Sequence, residues 1–254
     1  MRVKAVVAYD GTGYGGFQRQ TNAPSIQEEL ERALEKLMGV PCRVLAAGRT
    51  DAGVHAAGQV IAFDTLWGHS LTDLQRGINA LLPQQIAVWR LEIAEPTFHP
   101  RYEALRRWYR YTLYRGAVRN PLVGRFSLHI ARSLNVEAMR LAAARLVGQQ
   151  DFTAFGSPAA GGSAIREVYR AVWTEQDAWL YFDIEANAFL YRMVRLIVGT
   201  LLRVGEGVLS PEEFGDILRT RDRRQAGPAV SAQGLCLQQV YYAGETCTSA
   251  CRLE

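Results

Sequence analysis

Residues Arg43 to Phe63 read RVLAAGRTDAGVHAAGQVIAF. Two runs with strand character, Arg43–Ala47 and Gln59–Phe63, flank GRTDAGVHA. The connection is roughly ten residues long, where hairpin loops usually have about two to five. In its middle stands a single carboxylate, Asp51, with Arg49 two residues before it and His55 four after. A chain that lengthens a hairpin around one acid implies a task for that acid. The competing reading is an aspartate that bonds backbone amides within its own turn.

Working outward, Val3–Tyr9 has strand character, and Ser25–Leu37 predicts a helix opened by a Ser25/Glu28 capping box, with Ile26, Leu30, Ala33 and Leu37 on one face. A helix over Leu71–Leu81 and a strand over Ile86–Ile93 complete the order βαββαβ. The order then recurs, with a strand at Arg107–Tyr114 and a helix at Asn135–Val147 with Asn135 as N-cap and Gly148 as the stop. A hairpin over Arg166–Glu175 and Trp179–Glu185, a helix over Ala188–Val204 and a strand at Leu235–Tyr241 follow. This alternation predicts an α+β fold of two ferredoxin-like halves, with mixed or antiparallel sheets flanking a central catalytic cleft. The halves are 1–103, carrying the Asp51 loop, and 104–254, opening with the basic-aromatic strand.

Composition bounds the function classes. The chain has 254 residues, 48% apolar and 21% charged, and no apolar run approaching a membrane span of about 18 residues. The N-terminus MRVKAVVAYD lacks the long apolar region and cleavage site of a signal peptide, so a cytoplasmic location is expected. The four cysteines form no C-x-x-C pair, and metal ligation is not expected; Cys247 and Cys251 leave the role of the tail open. The net charge is +4, and only Lys4 and Lys36 among the basic residues are lysines. Arg101 to Arg119, RYEALRRWYRYTLYRGAVR, sets six arginines against Glu103 alone and interleaves Tyr102, Trp108, Tyr109, Tyr111 and Tyr114. Cations that track phosphates and rings that stack on bases are what single-stranded nucleic acid requires.

Gly11 to Gly16, GTGYGG, satisfies the dinucleotide fingerprint after a strand, but FQRQTNAPS intervenes before the helix. The fingerprint needs the helix to open within the glycines, so a tight turn presenting Gln18, Arg19 and Gln20 is predicted, with no nucleotide cofactor. Far along the chain, NAFLYRMVRLIVGTLLRVG predicts a helix capped by Asn187 with a Phe189, Met193, Ile197, Leu201 stripe. Arg195 sits among Val194, Leu196, Ile197 and Val198, where a guanidinium needs a carboxylate or several acceptors unless it snorkels to water.

GRTDAGVHA closely resembles the catalytic motif of the TruA family of tRNA pseudouridine synthases. YDGTGYGGFQRQ, RRWYRY, DFTAF, NAFLYRMVRLIVGTL and AGPAVSAQGLCLQQVYY are similar to further family motifs, in the family's order and over nearly the whole chain. The resemblance implies a cofactor-free isomerase that converts uridine to pseudouridine at positions 38 to 40 of the tRNA anticodon stem-loop. It implies a homodimer gripping tRNA. Asp51 matches the nucleophile, adding either to the uracil ring or to the ribose anomeric carbon.

By the same resemblance Tyr109 is expected against the uracil ring, Arg195 is expected to pair with Asp51, and Arg49 to contact the extruded nucleotide or fill the gap it leaves. Gln18, Arg19, Arg101, Arg107 and Arg110 are expected RNA contacts, and His55 is expected to be structural or to touch RNA. Phe17 stands where the family usually has Trp, Trp108 where a smaller residue is common, and Pro100 and Glu103 depart from the pattern around His99 and Arg101. RTRDRR, Arg219 to Arg224, reads either as a tRNA contact or as a solvated helix end. Two other classes bear on the same residues. A non-catalytic RNA-binding protein would be indifferent to Asp51, and a nucleosidase-like hydrolase would need a second acid or metal that the loop does not supply.

Overall fold

The structure, a computed structural model, describes residues 1–158 and 161–244. Cys247 and Cys251 therefore lie outside the described residues. The fold is mixed α+β. In chain order the regular elements are β1 (Arg2–Tyr9), α1 (Ile26–Met38), β2 (Leu45–Ala46), β3 (His55–Asp64), α2 (Leu71–Leu81) and β4 (Ile86–Ala94). They continue with β5 (Arg106–Tyr114), β6 (Leu128–His129), α3 (Val136–Ala144), β7 (Gly148–Asp151), β8 (Ile165–Gln176) and β9 (Trp179–Ala186). The last are α4 (Met193–Gly205), α5 (Pro211–Thr220) and β10 (Leu235–Tyr241). The described residues divide into two compact units, Met1–Leu105 with the segment from Cys236 to Gly244, and Arg106–Leu235.

In the first unit β1 is paired antiparallel on both sides, to β4 and to β3. The two-residue β2 lies antiparallel against Ala62 and Ile61 of β3, and β10 lies parallel against its other end, at His55 and Ala56. The alternating side chains Val3, Ala5, Val7 and Tyr9 are buried, together with Ile26, Leu30, Ala33 and Leu34 of α1 and Leu74 and Ile78 of α2. Each large aliphatic side chain removed from water this way contributes roughly 1.5–3 kcal/mol. Ser25 caps α1 by accepting from the Glu28 amide at 3.3 Å. The Glu28 carboxylate lies toward Arg19 and Arg32 instead of closing the expected box. The sequence reading runs the second half through to 254; here the final strand packs with the first unit, through a parallel pairing that no local pattern announces.

In the second unit β9 pairs antiparallel with β5 and β8, and β8 with β7, while β6 runs parallel to the end of β5. Burial alternates along β5: Arg107, Tyr109, Tyr111 and Leu113 are buried, while Trp108, Arg110, Thr112 and Tyr114 between and after them are half-buried. Phe182, Ile184, Met139, Ile197, Leu201 and Phe214 are buried in the same unit.

Two helix limits differ from the sequence reading. Helix α3 begins after Asn135, whose Oδ1 accepts from the Ala138 amide at 3.0 Å, but it ends at Ala144 instead of Val147. Helix α4 begins at Met193 instead of Ala188, behind an Arg192 held at φ 60°. Asn187 is engaged elsewhere: its Oδ1 accepts from the amides of Glu167 and Ala188, and its carbonyl accepts from Arg107 at 2.6 Å. An asparagine that satisfies the end of a hairpin is not available to cap a helix.

Candidate active site

Asp51 lies on the connection between β2 and β3. The side chain is half-buried and the loop around it is fastened to the sheet and to the preceding turn. Thr50 Oγ1 is 2.8 Å from the hydroxyl of Tyr9 on β1. Gln59 of β3 donates from Nε2 to the Gly48 carbonyl at 2.9 Å. The Thr50 carbonyl accepts from the Phe17 amide at 3.1 Å, the Tyr14 carbonyl from the Gly53 amide at 3.3 Å, and the Asp51 carbonyl from the Val54 amide at 3.1 Å. Gly16 and Asp51 form an isolated antiparallel pairing.

This assigns a purpose to GTGYGG that the sequence did not reveal. The glycines form no nucleotide cradle; they let one loop press on another. Gly16 has φ 116°, and a Cβ there would stand 2.6 Å from the Thr50 carbonyl oxygen. At Gly11 it would stand 2.1 Å from the carbonyl oxygen of Val54. The signal was present, in glycines that follow a strand without opening a helix, but its partner lies some forty residues away.

His55 is buried, with Nδ1 3.0 Å from the Gly11 amide nitrogen and 3.1 Å from an Asp10 carboxylate oxygen. It therefore braces the base of the loop. Burial pushes the Tyr9 hydroxyl well above the usual phenol range, against the opposing bonds from Thr50 and Gln59, so it is a neutral hydrogen-bonding group at physiological pH. Arg49, Gln18, Arg19 and Arg101 are exposed. The Arg19 guanidinium lies 3.4 Å from Glu31, and the Arg101 guanidinium stands over the Tyr102 ring at 5.9 Å.

In the second unit Tyr109 is buried on the covered face of β5, its ring edge-on to Phe189 with centroids 5.0 Å apart. Arg195 is half-buried on the first turn of α4, and its Nε donates to the Val230 carbonyl at 2.8 Å. The Val230 amide donates back to the Arg195 carbonyl at 3.2 Å. Residues 227–230 thus lie along α4 as a strap. Its close approach depends on Gly199, where a Cβ would meet the Pro228 carbonyl oxygen at 1.8 Å. Thr200 Oγ1 accepts from the Gly227 amide and donates to the Leu196 carbonyl, both at 2.8 Å. Arg195 also bears on Tyr111: burial raises that hydroxyl far above the usual range, and the positive charge of Arg195 works in the opposite direction.

The arginines of the basic-aromatic strand are less isolated than the sequence suggests. Arg110 forks onto Asp183 with two bonds of 2.9 Å, Trp108 Nε1 donates to the same carboxylate at 2.7 Å, and Arg110 stands 4.9 Å from the Tyr181 ring centroid. Arg106 and Arg170 approach Glu185. The acids come from β9, about seventy-five residues downstream, where strand pairing sets them opposite β5. Arg107 is buried and donates to the Asn187 carbonyl. Among the described residues no group of three or more His, Cys, Asp or Glu side chains is placed to hold a metal ion, and no helix is long and apolar enough to cross a membrane.

Comparison with known proteins agrees with the motifs. The profile of the tRNA pseudouridine synthase family matches residues 5–103 and 142–243. The chain is 45% identical over 246 residues to tRNA pseudouridine synthase A of Syntrophotalea carbinolica, covering 96% of this chain and 98% of that one. It is 44% identical to the protein of that name from Geobacter sulfurreducens, covering 94% and 99%, and 41% identical to that of Bacillus subtilis, covering 95% and 99%. A pinned acidic loop on an α+β scaffold, matched over nearly its full length by these relatives, places the chain in the tRNA pseudouridine synthase family, in its TruA group. It is an isomerase acting on uridine in tRNA.

Proposed function

We propose that the chain isomerises uridine to pseudouridine at positions 38 to 40 of the tRNA anticodon stem-loop, with Asp51 as nucleophile and no cofactor. What supports the reading is a half-buried carboxylate in a loop tied before it at Gly48 and Thr50 and after it at Gly53, in a chain whose family isomerises uridine in tRNA. The bond between N1 and the ribose is broken, the base turns while bound, C5 bonds to the ribose as its proton leaves to water, and N1 takes up a proton in exchange. Every atom of the uridine but that exchanged proton is retained, so no co-reactant is needed. A carboxylate divides this difficult exchange into easier steps by bonding transiently to the uracil ring or to the ribose. A group with that task must be held in place, and ties from two strands supply the hold.

Tyr109 is the proposed ring partner of the uracil and Arg195 the proposed cationic substrate-binding residue, each held from behind, by Phe189 and by the Val230 carbonyl. Arg49, exposed two residues before Asp51, contacts the extruded nucleotide or fills the gap it leaves. Gln18, Arg19 and Arg101 are surface contacts for the phosphate backbone. Arg110 presents a guanidinium fixed by Asp183, and Arg107 acts mainly by holding the strand end at Asn187. The strand arrangement of the first unit, β4-β1-β3 with β2 on β3, supports the ferredoxin-like reading of the halves. The working form is a homodimer in the cytoplasm, where tRNA is processed.

The test uses anticodon stem-loop tRNA tritiated at uracil C5. Wild type releases tritium to water. Asp51→Asn lowers release by at least about 10³-fold while tRNA affinity stays within about threefold, the signature of an interaction made only in the reaction itself. Undiminished release by the variant would remove Asp51 from the chemistry, and release from uridines outside the stem-loop would remove the assigned positions.

A further inference from the structure

Gln59 is out of character with its position. The pleat of β3 places it in one row with Ile61 and Phe63, and those two are 1% and 2% exposed. Gln59 itself is fully buried. A buried amide at such a place is tolerated when both its ends are bonded. Here Nε2 is bonded to the Gly48 carbonyl at 2.9 Å and lies 3.5 Å from the Tyr9 hydroxyl, but Oε1 has no hydrogen-bond partner among the described residues. A leucine or methionine would fill the row without stranding an acceptor. The side chain is therefore suited to what its donor end reaches: the first residue of the loop that carries Asp51.

Tyr9 presents the matching case. It ends the covered row of β1, is 4% exposed, and directs its hydroxyl to Thr50, the residue before Asp51. The two strands are in register at Val7 and Gln59, but Tyr9 stands opposite Ala56, so β3 carries one extra residue at the loop. Bulges of this kind re-aim side chains beside functional sites. Two polar side chains from adjacent, paired strands thus reach the same loop at Gly48 and Thr50. They convert sheet rigidity into loop position. The backbone ties from Tyr14 and Phe17 come from another loop, held at Gly16 and Phe17 by the first amides of α1, and act beside these two side chains.

We propose that Gln59 and Tyr9 are positioning residues for the isomerisation, holding the Asp51 loop from beneath through Gly48 and Thr50. The proposal rests on the reading of Asp51 as the nucleophile. Gln59→Met keeps the volume, removes the stranded acceptor and releases Gly48. Gly48 is half-exposed, so its carbonyl has water to bond once the loop moves. The expected result is a single-turnover tritium-release rate lower by about 10²-fold, the scale of a misplacement of about 1 Å. The KM for tRNA should stay within about twofold and the unfolding midpoint within about 4 °C, a shift that size corresponding to about 1 kcal/mol. Tyr9→Phe should lower the same rate by about tenfold, and the double variant should lose less than the product of the two, because both release one loop.

A Gln59→Met rate within twofold of wild type overturns the proposal. So does a rate loss accompanied by a midpoint drop beyond about 8 °C or an equal loss of tRNA affinity, since an ordinary core role would produce those. Asp51→Asn is run beside them. If it still turns over, the nucleophile reading has failed; if it is inactive while Gln59→Met is not impaired, only the present proposal has.

Discussion

Asp51 and Arg195 are both steadied by a length of chain that approaches too closely to admit a Cβ, but the two supports are built from different parts. The support of Asp51 is a loop pressed against a loop, with polar side chains reaching it from the sheet. Arg195 sits on the first turn of α4, and the strap over 227–230 touches that helix through Gly199, the buried Thr200 hydroxyl and the Val230 backbone. The first arrangement bears directly on one residue, Asp51, although Ala47, Thr50 and Val54 around it are buried. The second is part of a helix whose other residues, Ile197, Val198 and Leu201 among them, are fully buried. Disturbing the loop should therefore cost activity before stability, and disturbing the strap should do the reverse.

The sharpest contrast is between two glycines. Gly199→Ala gains about 1 kcal/mol of helix propensity, but its Cβ would overlap the Pro228 carbonyl at 1.8 Å, so the strap must lift. Overpacking of that kind costs about 1–3 kcal/mol, and the loss of the Thr200–Gly227 bond adds about 1 kcal/mol. The net expectation is a loss of about 1–3 kcal/mol in urea unfolding, with the turnover of the folded fraction reduced by less than about tenfold. For Gly16→Ala the order inverts. The φ of 116° and the Thr50 oxygen at 2.6 Å impose about 1–2 kcal/mol of strain, and relieving it moves Asp51, so turnover falls by about 10²-fold. Equal stability losses with equal turnover losses in the two variants would erase the distinction.

Which parts of this arrangement were legible in the sequence follows from how far apart the interacting residues stand. Helices α1, α2 and α5 and the β8–β9 hairpin carry their reasons within a few residues: a Ser cap, an apolar stripe, a Pro after Ser210. The loop around Asp51 stood out as a candidate because the whole motif is local. What the sequence did not disclose depends on long-range pairing. Asp183 and Glu185 meet the arginines of β5 only through strand register, so the strand reads as bare positive charge until β9 is set beside it. Asn187 looks like a helix cap because it precedes an apolar stripe, yet its carbonyl and amide oxygens are taken by Arg107 and Glu167. GTGYGG reads as a poor nucleotide loop because the loop it presses on begins more than thirty residues later.

Two threonines make the smaller and cleaner test. Valine replaces threonine with almost the same shape and removes only the hydroxyl. In Thr200→Val the buried Gly227 amide loses its acceptor, a loss of about 1–3 kcal/mol read in urea unfolding. Arg195 remains on the helix and keeps its bond to Val230, so turnover per folded molecule should stay within about threefold. In Thr50→Val the buried Tyr9 hydroxyl loses its 2.8 Å partner and only accepts, from Gln59 Nε2 at 3.5 Å, so the stability loss should be comparable, about 1–3 kcal/mol. The loop beside Asp51 loses one of its two side-chain ties to the sheet, and single-turnover release should fall by about tenfold. The pair separates the two roles: the stability losses are comparable, and only Thr50→Val loses activity. If Thr50→Val proves the less stable of the two while turning over like wild type, the loop is a structural element, and the positioning argument built on Tyr9 and Gln59 falls with it.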